Sequence, residues 1–320
     1  MVTQKKENKR PRFLVRLLLF IAIIFILDFS IGSLLKYLYF KQDSGLLYRT
    51  TYALDSTRAA FLIFGSSTAN HHYVPDILSQ KLQMSCYNTG RDGNTIFYSY
   101  AVFQSILKRY IPEQIILDIN DLEFMKDEKS YERISSLLPY YDKHPEIRSI
   151  IQLKSPLEKF KLISKIYPFN SLLFTIGAGN ADFNKEREYV NDHNGYIPLE
   201  YVWKGALVVD SFKMNYQLDT IKRNIFESFI SKCRDFNIHL TIIRSPEYKK
   251  QKFEDSTIKI VKRISDQYNI PFYNYTNDSF FLKHRELFYN PGHLNDSGAK
   301  IFTEMIADRI RKTNKGLINK

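Results

Sequence analysis

Ala60-Phe61-Leu62-Ile63-Phe64-Gly65-Ser66-Ser67 decides the fold. Five apolar residues in a row, closed by a glycine turn, suit a strand covered on both faces, because a half-exposed strand would alternate apolar and polar residues. Three later stretches have the same character: Gln114–Asn120 after Pro112, Ile238–Ile243 and Ile270–Tyr275. Between them lie helical patterns. Ile96–Lys108 carries Phe97, Ala101, Ile106 and Leu107. Ile221, Ile225, Phe229 and Ile230 repeat at helical spacing, as do Ile260, Val261 and Ile264. A final helix over Ser297–Thr313 places Phe302, Met305, Ile306 and Ile310 on one face. Strands alternating with helices imply an α/β fold, a three-layer sandwich around a mostly parallel sheet, over residues 59–312. There is no internal repeat.

Residues 125–215 break the rhythm. They are rich in Tyr, Lys, Asn and Asp and read as an insertion over the strand ends. Ligands of open α/β sheets bind at the carboxyl ends of strands, so the insertion is either a substrate wall or a purely structural cap.

Upstream of the strand, Leu17–Leu27 is unbroken apolar sequence, and the run extends to Leu35 with Asp28 as its one charge. About 20 apolar residues span a bilayer, so 17–36 is expected to be a transmembrane helix. Asp28 would cost about 2.5–3.5 kcal/mol at the bilayer centre and less near an interface, which the Leu/Ile/Phe run can offset. Lys5, Lys6, Lys9, Arg10, Arg12 and Arg16 precede the run. They make 1–16 a basic cytoplasmic tail and place the rest outside the cytoplasmic membrane, periplasmic or extracellular. A cleaved signal peptide is the rival reading, but the apolar region is long and no small-x-small site follows it. Residues 37–58 read as a juxtamembrane linker, with Lys36, Tyr37, Tyr39 and Lys41 as interfacial anchors, and 313–320 as a tail.

The chain of 320 residues is 44% hydrophobic, which excludes wholesale disorder. Its net charge of +12 owes much to the N-terminal cluster, and no nucleic-acid motif accompanies it, so nucleic acid is not an expected partner. Cys86 and Cys233 make neither a disulfide framework nor a metal cluster and read as buried thiols. No cofactor and no metal are expected.

Four segments carry candidate chemistry. In Phe64-Gly65-Ser66-Ser67, a serine just past a strand can present its hydroxyl at the top of the sheet. Asn88-Thr-Gly-Arg-Asp-Gly93-Asn-Thr95 enters a helix, where a backbone N–H at Gly93 suits a developing oxyanion. Leu117-Asp118-Ile119-Asn120-Asp121 ends a strand, and the Asn120 amide can donate to the same oxyanion. Asn290-Pro-Gly-His293-Leu-Asn-Asp-Ser-Gly298 enters the final helix with a histidine able to take a serine proton. Singly, each is equally an ordinary turn, loop or cap. His71 and His72 either line the substrate mouth or are solvated at a helix start. Arg91 either meets an anionic substrate or lies on the surface.

Together, in this order, the segments resemble the SGNH (GDSL-like) hydrolase family. The resemblance covers residues 59–312 and implies a flavodoxin-like α/β fold. It makes Ser67 the nucleophile, Ser67, Gly93 and Asn120 the oxyanion hole, and His293 the base. The anchored, inserted form looks like proteins of envelope-polysaccharide O-acylation. That likeness implies a serine esterase or O-acyltransferase on an acylated glycan, acetyl being the expected acyl group. The alternative is a non-catalytic glycan-binding or scaffold partner of a membrane-bound O-acyltransferase. Two positions depart from the pattern. Gly-Asp-Ser becomes Gly65-Ser66-Ser67, and Asn290 stands where the family has the triad Asp. In Ser-His-Asp proteases an Asp-to-Asn change costs roughly 10⁴-fold, chiefly by fixing the wrong tautomer. Either a Ser-His dyad operates, or Asp296 or Asp278 supplies the acid, or catalysis is weak or absent.

Overall fold

A computed structural model describes residues 9–181 and 194–318. Lys5 and Lys6 of the basic cluster, and part of the insertion, lie outside the described residues. Five parallel strands form the central sheet: β1 (Phe61–Phe64), β2 (Cys86–Asn88), β3 (Gln114–Asp118), β4 (His239–Arg244) and β5 (Phe272–Asn274), in the order β2-β1-β3-β4-β5. Alternate residues face opposite layers. Leu62 and Phe64 of β1, Ile115 and Leu117 of β3 and Ile242 of β4 enter one core; Phe61, Ile63, Ile116 and Ile243 enter the other. Two buried faces explain the continuous apolar runs, since each large side chain buried contributes about 1.5–3 kcal/mol.

Helices supply both layers. The first core is closed by α2 (Gly45–Asp55), α5 (Ile96–Leu107), α6 (Thr220–Asp235) and α7 (Ser256–Tyr268). The second is closed by α3 (Ser67–His72), α4 (Pro75–Leu82) and α8 (Asp296–Ile318), which brings in Phe302, Ile306 and Ile310. The protein is thus α/β with a parallel central sheet. A long N-terminal helix, α1 (Lys9–Phe40), precedes it, and Arg12–Phe40 is long and apolar enough to cross a membrane.

Two expectations need correction. Residues 37–58 are not a linker. Helix α1 runs through Phe40, and α2 buries Leu47, Ala53 and Leu54 against the core while its buried Arg49 donates to Asn70 Oδ1 at 2.6 Å. The short apolar face of α2, broken by Tyr and Thr, left no clear period in the sequence. The final helix does not stop at Thr313 but continues to Ile318. Cys86-Tyr87-Asn88 has no apolar run to mark a strand, and its pairing with β1 is what makes β2 one.

The insertion is closed at its base by an isolated bridge between Met125 and Leu218. Its distal part, through residues 133–180, packs on α1. Its last part forms a short parallel pair, Val208–Asp210 with Lys249–Gln251, close to the strand ends. Cys86 and Cys233 are buried free thiols, and burial pushes both pKa values up. The native protein is therefore expected to resist maleimide until unfolded, which mass spectrometry before and after denaturation checks.

Candidate active site

The site is built on the turn after β1. Gly65 has φ +148°, and a Cβ there would lie 2.8 Å from the Asp118 carbonyl oxygen and from Ala69 Cβ. Only glycine fits this turn, which delivers Ser67 as the first residue of α3.

His293 arrives from the far end of the chain on a small antiparallel hairpin, Phe288–Asn290 with His293–Leu294. Its Nε2 lies 2.8 Å from Ser67 Oγ, and its Nδ1 lies 3.0 Å from Asn290 Oδ1. The tautomer follows from a second bond. Gly292 N–H donates to Asn290 Oδ1 at 2.8 Å, so that atom is the amide oxygen. It can only accept, so His293 Nδ1 carries the proton and the neutral ring leaves Nε2 free to accept from Ser67. Burial lowers the His293 pKa, and the His71 ring nearby lowers it further, both favouring the neutral base.

Neither alternative acid reaches His293. Asp296 accepts from Tyr196 Oη at 3.0 Å and pairs with Lys300 Nζ at 2.6 Å. Asp278 caps the helix Ser279–Lys283, accepting from the Phe280 and Phe281 N–H groups.

The two neighbouring histidines are not solvated. His71 Nδ1 donates to the Ile197 carbonyl at 2.8 Å, its Nε2 faces Asp92 Oδ2 at 3.1 Å, and its ring meets that of His293 edge-on at 5.7 Å. His72 is fully buried, and burial drives its pKa well below the ordinary value. The neutral Nε2 accepts the Leu294 N–H at 3.0 Å, so His72 holds the backbone next to the catalytic candidate. Periodicity could not show this, because the partner lies 222 residues away.

Asn120 lines the site. Its amide Nδ2 donates to Ser66 Oγ, and its Oδ1 lies 2.8 Å from Thr68 Oγ1. The amide carries two N–H groups, and Ser66 occupies one. Asp118, at the end of β3, is buried and accepts from Thr68, Tyr73 and Ser245. Burial raises its pKa and outweighs the three donors; its role is to tie α3 to β3 and β4.

Gly93 has φ +67° as its turn requires, a Cβ there would meet the Arg133 guanidinium, and it is not among the residues lining the pocket around Ser67. Elsewhere in that loop, Gly90 N–H donates to Asn88 Oδ1 and Arg91 N–H to the Gly65 carbonyl. Asp92, not Gly93, turns toward the histidines. Arg91 is neither at the site nor on the surface. It is buried, donates to Thr50 and stacks on Tyr98 at 5.6 Å.

A pocket of about 330 Å³ opens over Ser67 and His293 at the carboxyl ends of the strands. Asn120, Asp121, Glu247 and Lys249 contribute to its polar wall, and Phe212 and Met214 from the insertion to its apolar rim. The insertion is therefore a pocket wall at one end and a structural cap elsewhere. The polar wall was missed in the sequence, although Arg244-Ser245-Pro246-Glu247 directly follows β4, where ligand-facing residues belong. Arg244 is fully buried and pairs with Asp121 at 2.9 Å and Glu247 at 3.1 Å; Glu247 also meets Lys249 at 3.3 Å. Among the described residues no three His, Cys, Asp or Glu side chains are grouped to hold a metal ion. No protein-family model matches the sequence, and no curated protein is detectably similar to it.

Proposed function

We propose that the protein is a membrane-anchored serine esterase or O-acyltransferase of the SGNH-hydrolase kind, acting on acyl groups, acetyl first among them, of a cell-envelope polysaccharide. Helix α1 spans the membrane with its N-terminus in the cytoplasm, and the α/β domain lies outside. One observation carries the catalytic reading: Ser67 Oγ, His293 and Asn290 Oδ1 stand in a hydrogen-bonded line, with Ser67 and His293 lining the pocket.

Ser67 Oγ attacks the ester carbonyl carbon while its proton passes to His293 Nε2. The tetrahedral intermediate collapses, the sugar alkoxide leaves with the proton from His293, and an acyl-serine remains. Water or a second hydroxyl then gives its proton to His293 and attacks the acyl carbon, and as the second intermediate collapses His293 returns that proton to the departing Ser67 Oγ. Asn120 is the side-chain donor beside the developing oxyanion.

A second reading, a non-catalytic glycan-binding or scaffold partner of a membrane-bound O-acyltransferase, is favoured by Asn290, which orients His293 but brings no charge. Fluorophosphonate labelling of the full-length protein separates the two. An adduct mapped to Ser67 supports the enzyme, and an unlabelled protein supports the binding partner.

Asn290→Asp gives a finer test. The wild-type tautomer is already productive, so the substitution adds only a negative charge beside the imidazolium of the transition state. A gain of about tenfold in p-nitrophenyl acetate hydrolysis is expected, equivalent to about 1.4 kcal/mol, or one pKa unit, on His293. The working base is neutral His293, so activity falls as pH drops through its pKa. The added carboxylate raises that pKa, and the acid limb of the pH–rate profile should move to higher pH. An unchanged or lower rate means that another group orients His293.

A further inference from the structure

The distal insertion exposes large apolar side chains beside α1. Phe174 is 89% exposed, Phe160 69% and Ile163 64%, with Leu157 and Leu173 also exposed. The 167–180 part of the insertion packs on α1, whose own exposed side chains from Leu17 through Leu34 are largely apolar. Isolated exposed apolar residues need no explanation, but a cluster continuous with a membrane-crossing helix does.

The height of the cluster is set by Asp28. Its carboxylate accepts from Ser164 Oγ at 2.5 Å, from Lys165 N–H at 2.7 Å and from Ile166 N–H at 3.4 Å. One turn on, a Cβ at Gly32 would strike the Lys165 backbone, so Gly32 is what lets the two chains touch. Tyr39 packs on Phe169, and Asn180 Nδ2 donates to the Leu38 carbonyl at 2.9 Å. The insertion thus follows α1 downward from Tyr39 to Asp28. Eight residues separate Asp28 from the interfacial Lys36, which is about 12 Å along a helix. The segment reaching Asp28 therefore lies below the plane of Lys36.

The N–H groups of residues 160–167 are also paired within the protein. The N–H groups of residues 160–164 bond to carbonyls of Leu157, Glu158, Phe160 and Lys161. Those of Lys165 and Ile166 go to Asp28, and that of Tyr167 to Ser164 Oγ at 3.2 Å. Polypeptide in a bilayer needs this self-sufficiency. Glu158, the buried acid of the segment, is neutralised by Lys161 and accepts from Tyr167 Oη. Exposed Lys159 and Lys161 flank Phe160, as snorkelling cations flank an interfacial helix.

We propose that residues 156–174 form a second membrane-contact surface, immersed in the leaflet on the far side from the N-terminus and seated against α1. Its occupant is the headgroup–acyl boundary of the lipid itself. The segment fixes the tilt and height of the α/β domain on the membrane and supplies the polar partners that Asp28 requires there. The inference rests on the reading of α1 as membrane-spanning.

The test uses the full-length protein in vesicles of phosphatidylcholine and phosphatidylglycerol containing doxyl-labelled lipid. The native cysteines are buried, so single cysteines can be placed by Phe174→Cys, Phe160→Cys, Ile24→Cys and Lys259→Cys and labelled with an environment-sensitive fluorophore. Probes at 174 and 160 are expected to shift to the blue and lose most of their emission to the doxyl lipid, as the α1 probe at 24 does, while the α7 probe at 259 keeps its emission. Quenching at 24 with none at 174 and 160 overturns the second surface and leaves the anchor standing. That result would assign the apolar cluster to a protein partner. No quenching at 24 overturns the anchor and this inference with it.

Discussion

Ser67→Ala is expected to lower ester hydrolysis by about 10³-fold or more, to the background set by the remaining pocket, and to abolish fluorophosphonate labelling. The physical case is the single hydroxyl 2.8 Å from His293 Nε2. Without Oγ there is no atom to form the acyl intermediate, and His293 can act only on a water not held in line. The substitution removes one atom from a partly buried position, so the fold should be unaffected. An unchanged circular dichroism spectrum and unfolding midpoint check that. His293→Ala should match it within the same order, because nucleophile and base act as a unit and their losses do not add. Hydrolysis persisting in Ser67→Ala at the wild-type rate would place the chemistry elsewhere.

Arg244→Met is expected to destabilise the protein by about 3–5 kcal/mol, a large share of the roughly 5–15 kcal/mol that holds a domain folded. Burial alone would favour the neutral guanidinium, but Glu247 and Asp121 overcome it and raise the Arg244 pKa. Removing the cation leaves two carboxylates facing each other at the pocket wall. The loss is not that of the ion pair itself but of leaving charge uncompensated. Adding Asp121→Asn and Glu247→Gln to Arg244→Met should therefore recover part of the stability, read from urea unfolding midpoints of the full-length protein in detergent. If the triple variant is no more stable than Arg244→Met, packing and not charge is what Arg244 supplies. Asp121 and Glu247 line the pocket, so substrate binding should weaken as well.

Where the chain buries apolar surface continuously, sequence alone determined the structure. The runs at Phe61–Phe64, Gln114–Asp118 and His239–Arg244 could be satisfied only by strands covered on both faces. The helices between them carry a period that any burial on one face imposes. The apolar run before Lys36 likewise announced a helix able to cross a membrane, because that property depends on length and composition only. The candidate nucleophile and base were legible from their turns, since a glycine and a serine after a buried strand have few conformations open to them.

Contact between distant segments was decided only by the tertiary structure. The loop that carries Gly93 places Arg133 over that glycine and sends Asp92 toward His71. Residues 37–58 looked like a linker because α2 has so narrow an apolar face; its burial depends on surfaces from α5 and the insertion that local sequence does not show. Asp28 looked like a cost to a membrane helix, and its partners lie 136 to 138 residues away. His72 holds the strand that carries His293 through one bond across 222 residues. Local sequence sets backbone preference and burial pattern, which are short-range energies. Which donor meets which acceptor is settled when the layers pack, because a buried polar group must find a partner among whatever the fold brings within about 3 Å.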